Sequence, residues 1–296
     1  MLWTEKYRPT KISQVMGQNH FTLDAQSWIE ERDMPNVLIY GNSGNGKTTA
    51  GIILGRELLG EHFTNNFFEI NASDDRKLET VRNKIKEVAR NASIGDVPFR
   101  ICLLDEMDGM TTDAQNALKR IMERYSSNIR FIITCNDRNK IIFALQSRCA
   151  NYHFKPLGNE DMLRVIKSIL LKEEISRFSD KELESFIYSM NGDMRRAITE
   201  IQAAKSSNST LTKQVENTLD EYKNIIDGIL NKNTNVLGEI HDLLYKGRTI
   251  KEICNGLHDV IIASKGLDSN VKFKFLRTIG EAEWRSTTMT PKVLAS

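Results

Sequence analysis

The sequence predicts an α/β fold, a mostly parallel sheet with helices on both faces, followed by all-helical units. Three observations predict it. Between residues 37 and 154, five short apolar runs alternate with helical stretches; after Pro156 only helical periodicity remains; and the glycine-rich stretch Gly41-Asn42-Ser43-Gly44-Asn45-Gly46-Lys47-Thr48-Thr49 joins the first run to a helix. With 296 residues, the chain has length for about two domains, or three small ones. We divide it into a sheet domain (1–155), a helical domain (156–210) and a second helical domain (211–296).

Residues 1–36 open irregularly, with Trp3, Tyr7, Arg8 and Pro9, and continue as an amphipathic helix through Phe21, Leu23, Trp28 and Ile29. Val37, Leu38, Ile39 and Tyr40 form the first buried strand, and the spacing over 50–59 is helical. Further strands are predicted over 67–70, 101–104, 131–134 and 151–154. A helix over 78–90 places Leu78, Val81, Ile85 and Val88 on its apolar face. Beyond Pro156, one helix covers 160–172. A second opens with the capping pattern Ser179-x-x-Glu182 and stops before Gly192, and a third covers 194–204. The polar run 205–210 reads as a linker. About four helical stretches follow, one opened by Thr249-x-x-Glu252 with Ile250, Ile253, Leu257 and Ile261 at helical spacing.

The loop from Gly41 to Thr49 fits Gly-x-x-x-x-Gly-Lys-Thr, whose glycines let backbone N–H groups and a helix N-terminus face a triphosphate. Lys47 places a point charge between the β- and γ-phosphates, and Thr48 offers its hydroxyl to Mg²⁺. The strand over 101–104 ends in Asp105 and Glu106. The first suits Mg²⁺ and the second an attacking water, which is the second half of an ATPase site. Asn136 ends the next strand, where an amide orients that water, and Asn71 occupies a similar place after 67–70, from which it can hold Glu106 in an unproductive pose. Arg195 opens a helix from which it can reach the γ-phosphate. Arg148, in Ser147-Arg148-Cys149, has spacing compatible with a role in its own site, in a neighbour's, or with mere exposure. Arg82, Lys86 and Arg90 share a helix face that can follow a nucleic-acid backbone; no aromatic platform accompanies the stripe, which disfavours base stacking.

Composition limits the alternatives. The formal net charge is +2, so nucleic-acid binding must come from a local stripe. Cys102, Cys135, Cys149 and Cys254 lack zinc or redox spacing, and the start of the chain lacks a signal-peptide layout. A soluble cytoplasmic protein, or a nuclear one in a eukaryote, is expected.

Together these residues resemble the small subunits of replication factor C, the archaeal and eukaryotic sliding-clamp loader among the AAA+ ATPases. The resemblance covers residues 3 to about 200. It rests on the segment from Trp3 to Pro9, the phosphate loop, Asn71-Ala72-Ser73-Asp74-Asp75-Arg76, Leu103-Leu104-Asp105-Glu106-Met107-Asp108, Thr134-Cys135-Asn136, Ser147-Arg148-Cys149 and Gly192-Asp193-Met194-Arg195-Arg196. It implies ATP and Mg²⁺ as cofactors, Asn136 and Arg195 as the two sensors, and Arg148 as a finger acting in the neighbouring subunit. Tyr7, Arg8, Pro9, Val15 and Gly17 would lie near adenine, and Arg82, Lys86 and Arg90 would track primer-template DNA. Residues 156–210 would be a helical lid and 211–296 a collar joining a pentameric ring with a large subunit and further small subunits. The implied function is ATP-driven opening and loading of the sliding clamp, with 92–99 as a candidate clamp-facing surface. Alternatives are a structural subunit that binds ATP without hydrolysis, or a different AAA+ remodeller of DNA. In place of the two prolines usual in the family's phosphate loop stand Asn42 and Ser43.

Overall fold

The computed structural model describes residues 1–72, 85–88, 90–206, 212–231, 235–245, 248–264 and 266–285. It divides into two compact units, Met1–Asn208 and Ser209–Ser296.

The first unit is built on a five-stranded parallel sheet. Its strands are β1 (Val37–Tyr40), β2 (Phe67–Asn71), β3 (Arg100–Asp105), β4 (Ile129–Cys135) and β5 (Ala150–His153), in the order β2-β3-β4-β1-β5. Each predicted run contains a strand, the last shifted by one residue so that Phe154 lies just past β5. Three of them extend further than the apolar pattern because the ladder continues, with Asn71 opposite Asp105 and Tyr40 opposite Cys135.

Side chains alternate between the faces of a strand, and this sheet buries both sets. Leu38, Cys102, Leu104, Phe131 and Ile133 join one core, whereas Val37, Ile39, Ile101, Leu103 and Ile132 join the other. That is why the runs are continuously apolar: a parallel sheet covered on both faces has no wet side. Burying each such side chain contributes about 1.5–3 kcal/mol, so the sheet can carry local strain at its rim.

Helices α2 (Asn19–Glu31) and α3 (Lys47–Leu59) supply Phe21, Ala25, Ala50, Ile53 and Leu54 to the second core. α5 (Thr112–Arg124) supplies Leu118, Ile121 and Met122 to the first. Short helices α1 (Trp3–Lys6), α4 (Phe63–Asn66) and α6 (Phe143–Gln146) complete the sheet region. α3 begins at Lys47, three residues before its apolar spacing does, because Gly46 takes the left-handed N-cap conformation that lets the loop enter the helix.

Three helices follow the sheet: α7 (Asn159–Lys172), α8 (Asp180–Ser189) and α9 (Met194–Ser206). The Ser179 hydroxyl accepts from the Glu182 backbone N–H and caps α8 as its sequence predicts. At the other end Met190 is the C-cap, and Asn191 turns left-handed ahead of Gly192.

The second unit holds α10 (Thr212–Leu230), α11 (Val236–Tyr245), α12 (Ile250–Ala263) and α13 (Ser269–Arg285). Its core is formed by Tyr222, Ile225, Ile226, Leu243, Ile253, Val260 and Ile261. A reciprocal capping box between Thr249 and Glu252 opens α12. Among the described residues, no helix is long and apolar enough to cross a membrane.

Candidate functional site

The strand order places β1 beside β4 and β5, so the loop after β1 emerges at the carboxyl rim where connections diverge, the usual place for a ligand in such sheets. Two glycines give the loop its shape. Gly46 has φ of 82° and opens α3. Gly44, at φ 83°, is pressed so closely on Asp193 that a Cβ there would lie 2.1 Å from its Oδ1. The buried Asn45 side chain donates to the Phe154 carbonyl at 3.0 Å and ties the loop to the end of β5. Asn42 and Ser43 are exposed, and Thr49 lies in the first turn of α3.

Lys47 is 8% exposed. Its Nζ donates to the carbonyls of Gly41 at 2.8 Å and Asn42 at 2.9 Å, and to Asn136 Oδ1 at 3.0 Å. Burial pulls its pKa below the ordinary lysine value of 10.5, while Asp105 and Asp108 act the other way. The positive charge of Arg195, at the start of α9, also reaches Lys47 and lowers that pKa.

Thr48 Oγ1 lies 2.9 and 3.0 Å from the two carboxylate oxygens of Asp105. Thr134 also donates its hydroxyl to Asp105 Oδ1, and the Glu106 backbone N–H donates to Thr134 Oγ1 at 3.4 Å. Glu106 itself has φ of 53°, a left-handed conformation that costs a non-glycine residue roughly 1–3 kcal/mol. Strain of this kind turns the chain sharply after β3 and leaves the Glu106 side chain exposed at the rim. Asp108 Oδ1 accepts from the backbone N–H of Asn136 at 3.3 Å and fixes the end of β4.

The structure therefore brings together Lys47, Thr48, Asp105 and Asn136, with Glu106 beside them and Arg195 within electrostatic reach. Sequence reasoning missed three members of the arrangement. Thr134 and Asp108 lay inside recognised motifs without an assigned job, and Asp193 carried no signal of its contact with Gly44.

Residues 37–157 match the ATPase family associated with various cellular activities (AAA). The replication factor C small subunit of Archaeoglobus fulgidus is 38% identical over 294 residues, covering 97% of this chain and 92% of that protein. Its counterpart from Methanococcus maripaludis is 42% identical over 213 residues, covering 72% of this chain and 67% of that protein. The chain belongs to the replication factor C small-subunit family. Among solved structures, the Thermotoga maritima RuvB Holliday junction branch migration motor superposes with a TM-score of 0.58 at 16% identity, over 78% of this chain and 85% of that one. That likeness shows the shared fold.

The remaining residues that the replication factor C pattern singles out stand as follows. The Tyr7 hydroxyl donates to Glu173 at 2.6 Å, and Arg8 pairs with Glu5 at 2.8 Å. Pro9 is half-buried, Val15 packs on the core around β1 and β5, and Gly17, at φ 71°, faces Leu157. Arg148 is exposed, donates to the Ala144 carbonyl at 2.7 Å and pairs with Glu123 on α5. Asn71 ends β2 opposite Asp105. Residues 73–76 and Arg82 lie outside the described residues. Lys86 and Arg90 are described, and the Arg90 side chain bonds to Tyr125, lowering the phenol's pKa. The expectation that no aromatic accompanies the stripe is therefore corrected at Arg90, where Tyr125 supplies a ring; the part of the expected helix over 78–84 lies outside the described residues.

Proposed function

We propose that the chain is an ATP-hydrolysing subunit of a sliding-clamp loader. One observation carries the reading: on a chain of this family, the Lys47 ammonium, the Thr48–Asp105 pair and the Asn136 amide converge at a single loop. The three acceptors around Lys47 are the positions that phosphate oxygens would replace, and the N-terminus of α3 favours negative charge there. The hydroxyl of Thr48 and the carboxylate of Asp105 form an oxygen donor set suited to Mg²⁺, which when bound would neutralise charge on the β- and γ-phosphates. Glu106 is positioned to orient and deprotonate the attacking water, with Asn136 as its polar guide. Arg195 reports the γ-phosphate to α9, and Arg148 acts in the site of a neighbouring subunit.

The base lies near Tyr7, Arg8, Pro9, Val15 and Gly17, the last of which faces Leu157. Residues 156–210 serve as a lid and 211–296 as a collar in a ring with a large subunit and other small subunits. Primer-template DNA meets Arg82, Lys86 and Arg90, and the sliding clamp is the load. Different affinities of the ATP and ADP states for clamp and DNA supply the work of opening.

The test is single-turnover hydrolysis in a reconstituted loader in which only this subunit's loop is intact. Turnover stimulated by clamp and primer-template supports the reading. ATP binding without turnover identifies a scaffold subunit instead, and stimulation by branched DNA without a clamp identifies another kind of remodeller.

A further inference from the structure

Both ends of α9 touch other parts of the first unit. At its start, Asp193 adjoins Gly44 of the loop, and the charge of Arg195 reaches Lys47. Near its end, Gln202 Oε1 accepts from the backbone N–H of Trp3 at 2.8 Å, and Gln202 Nε2 donates to the Met1 carbonyl at 3.2 Å. Lys205 Nζ donates to Glu173 Oε2 at 2.7 Å.

Glu173, the C-cap of α7, is where these elements meet. Its Oε1 accepts from Lys6 Nζ at 2.6 Å and from the Tyr7 hydroxyl at 2.6 Å. The carboxylate side chain is 8% exposed, although its two lysine partners are 45% and 46% exposed. Lys6 and Lys172 lie 5.2 and 5.7 Å from the centre of the Tyr7 ring, and Lys205 lies 5.4 Å from that of buried Trp3. Hydrogen bonds from Lys205, then Lys6 and Tyr7, hold the Glu173 carboxyl down at about 2. Charge-assisted bonds are the strong kind, and a carboxylate screened from water has no substitute partner when one is lost.

We propose that Glu173 is a positioning residue for nucleotide binding: it latches the segment bearing Tyr7 to α7 and α9, so that this segment and the two helices move as one body. The proposal rests on the nucleotide reading above and names what fixes the segment bearing Tyr7. α9 has 13 residues and spans about 20 Å. A displacement of Asp193 or Arg195 at one end therefore reaches the N-terminal segment at the other. Without the latch, Tyr7 and its neighbours must be ordered again each time a base binds, and affinity falls by that cost.

The experiment uses the full chain and two ligands, ATP and inorganic tripolyphosphate, titrated calorimetrically against wild type, Glu173→Gln and Tyr7→Phe. The expected result is about tenfold weaker ATP binding in both variants, no further loss in the double variant, and tripolyphosphate binding within about twofold of wild type. Tryptic cleavage after Lys6, followed by mass spectrometry, should be faster in Glu173→Gln without any ligand. Equal loss for both ligands, or unchanged ATP binding and unchanged cleavage, would overturn the latch. Wild type that ignores ATP yet shows faster cleavage in Glu173→Gln would overturn the nucleotide reading and leave a purely structural latch.

Discussion

At the scale of single residues, the loop's chemistry depends on where charges are buried. Lys47→Ala removes the ammonium that binds three acceptors and should abolish ATP binding in a titration. Because burial lowers the Lys47 pKa, the affinity of wild type for ATP should begin to fall at a pH below the 10.5 of free lysine. Arg148→Ala should behave oppositely, sparing binding and slowing hydrolysis in the assembled loader by about 100-fold or more, against the roughly 1000-fold and upward of other arginine fingers. Normal turnover in that variant would remove Arg148 from the mechanism. Gly44→Ala forces a side chain into a left-handed position and against Asp193, so it should cost roughly 1–3 kcal/mol in thermal unfolding. Adding Asp193→Ala should recover part of that loss, since it relieves the contact and not the backbone strain. For Glu173 the folded carboxyl sits at about 2, below its ordinary 4.5. Its stabilisation is therefore complete above pH 4.5 and disappears as the pH falls toward 2. The gap in melting temperature between wild type and Glu173→Gln should narrow from pH 6 to pH 3.

At the scale of elements, what was legible had a local signal. The strands were readable because each apolar run is short and bounded by polar residues, and the phosphate loop because lysine and threonine follow its glycines in register. The Ser179 cap and the Thr249–Glu252 box were equally local. Thr249→Ala should destabilise the second unit by about 1 kcal/mol, read by chemical denaturation. Strand order was not legible, since nothing near β1 in the sequence says that β4 will lie beside it. The bonds of Glu173 to Lys6 and Lys205 cross 167 and 32 residues and left no pattern to find. Left-handed Glu106 was hidden for another reason: a glutamate gives no warning of a conformation that glycine usually adopts. Arg90 looked free of aromatic neighbours because Tyr125 approaches it from a different element.

At the scale of the molecule, a net charge of +2 means that the proposed DNA contact would rest on a few cations. Hydrolysis stimulated by primer-template should therefore weaken as salt rises from 50 to 200 mM, with a log–log slope near the few phosphates contacted. A salt-independent rate would exclude the basic stripe. The division of labour within the sheet has one more consequence. Its interior is apolar on both faces, and the side chains gathered around Lys47 stand at the carboxyl ends of β1, β3 and β4. Loss-of-function variants from random mutagenesis should thus separate into two populations. Polar replacements at positions such as 38, 103 or 132 would be recovered as aggregates, whereas replacements at 47, 105, 106 or 136 would yield well-folded material that does not turn over.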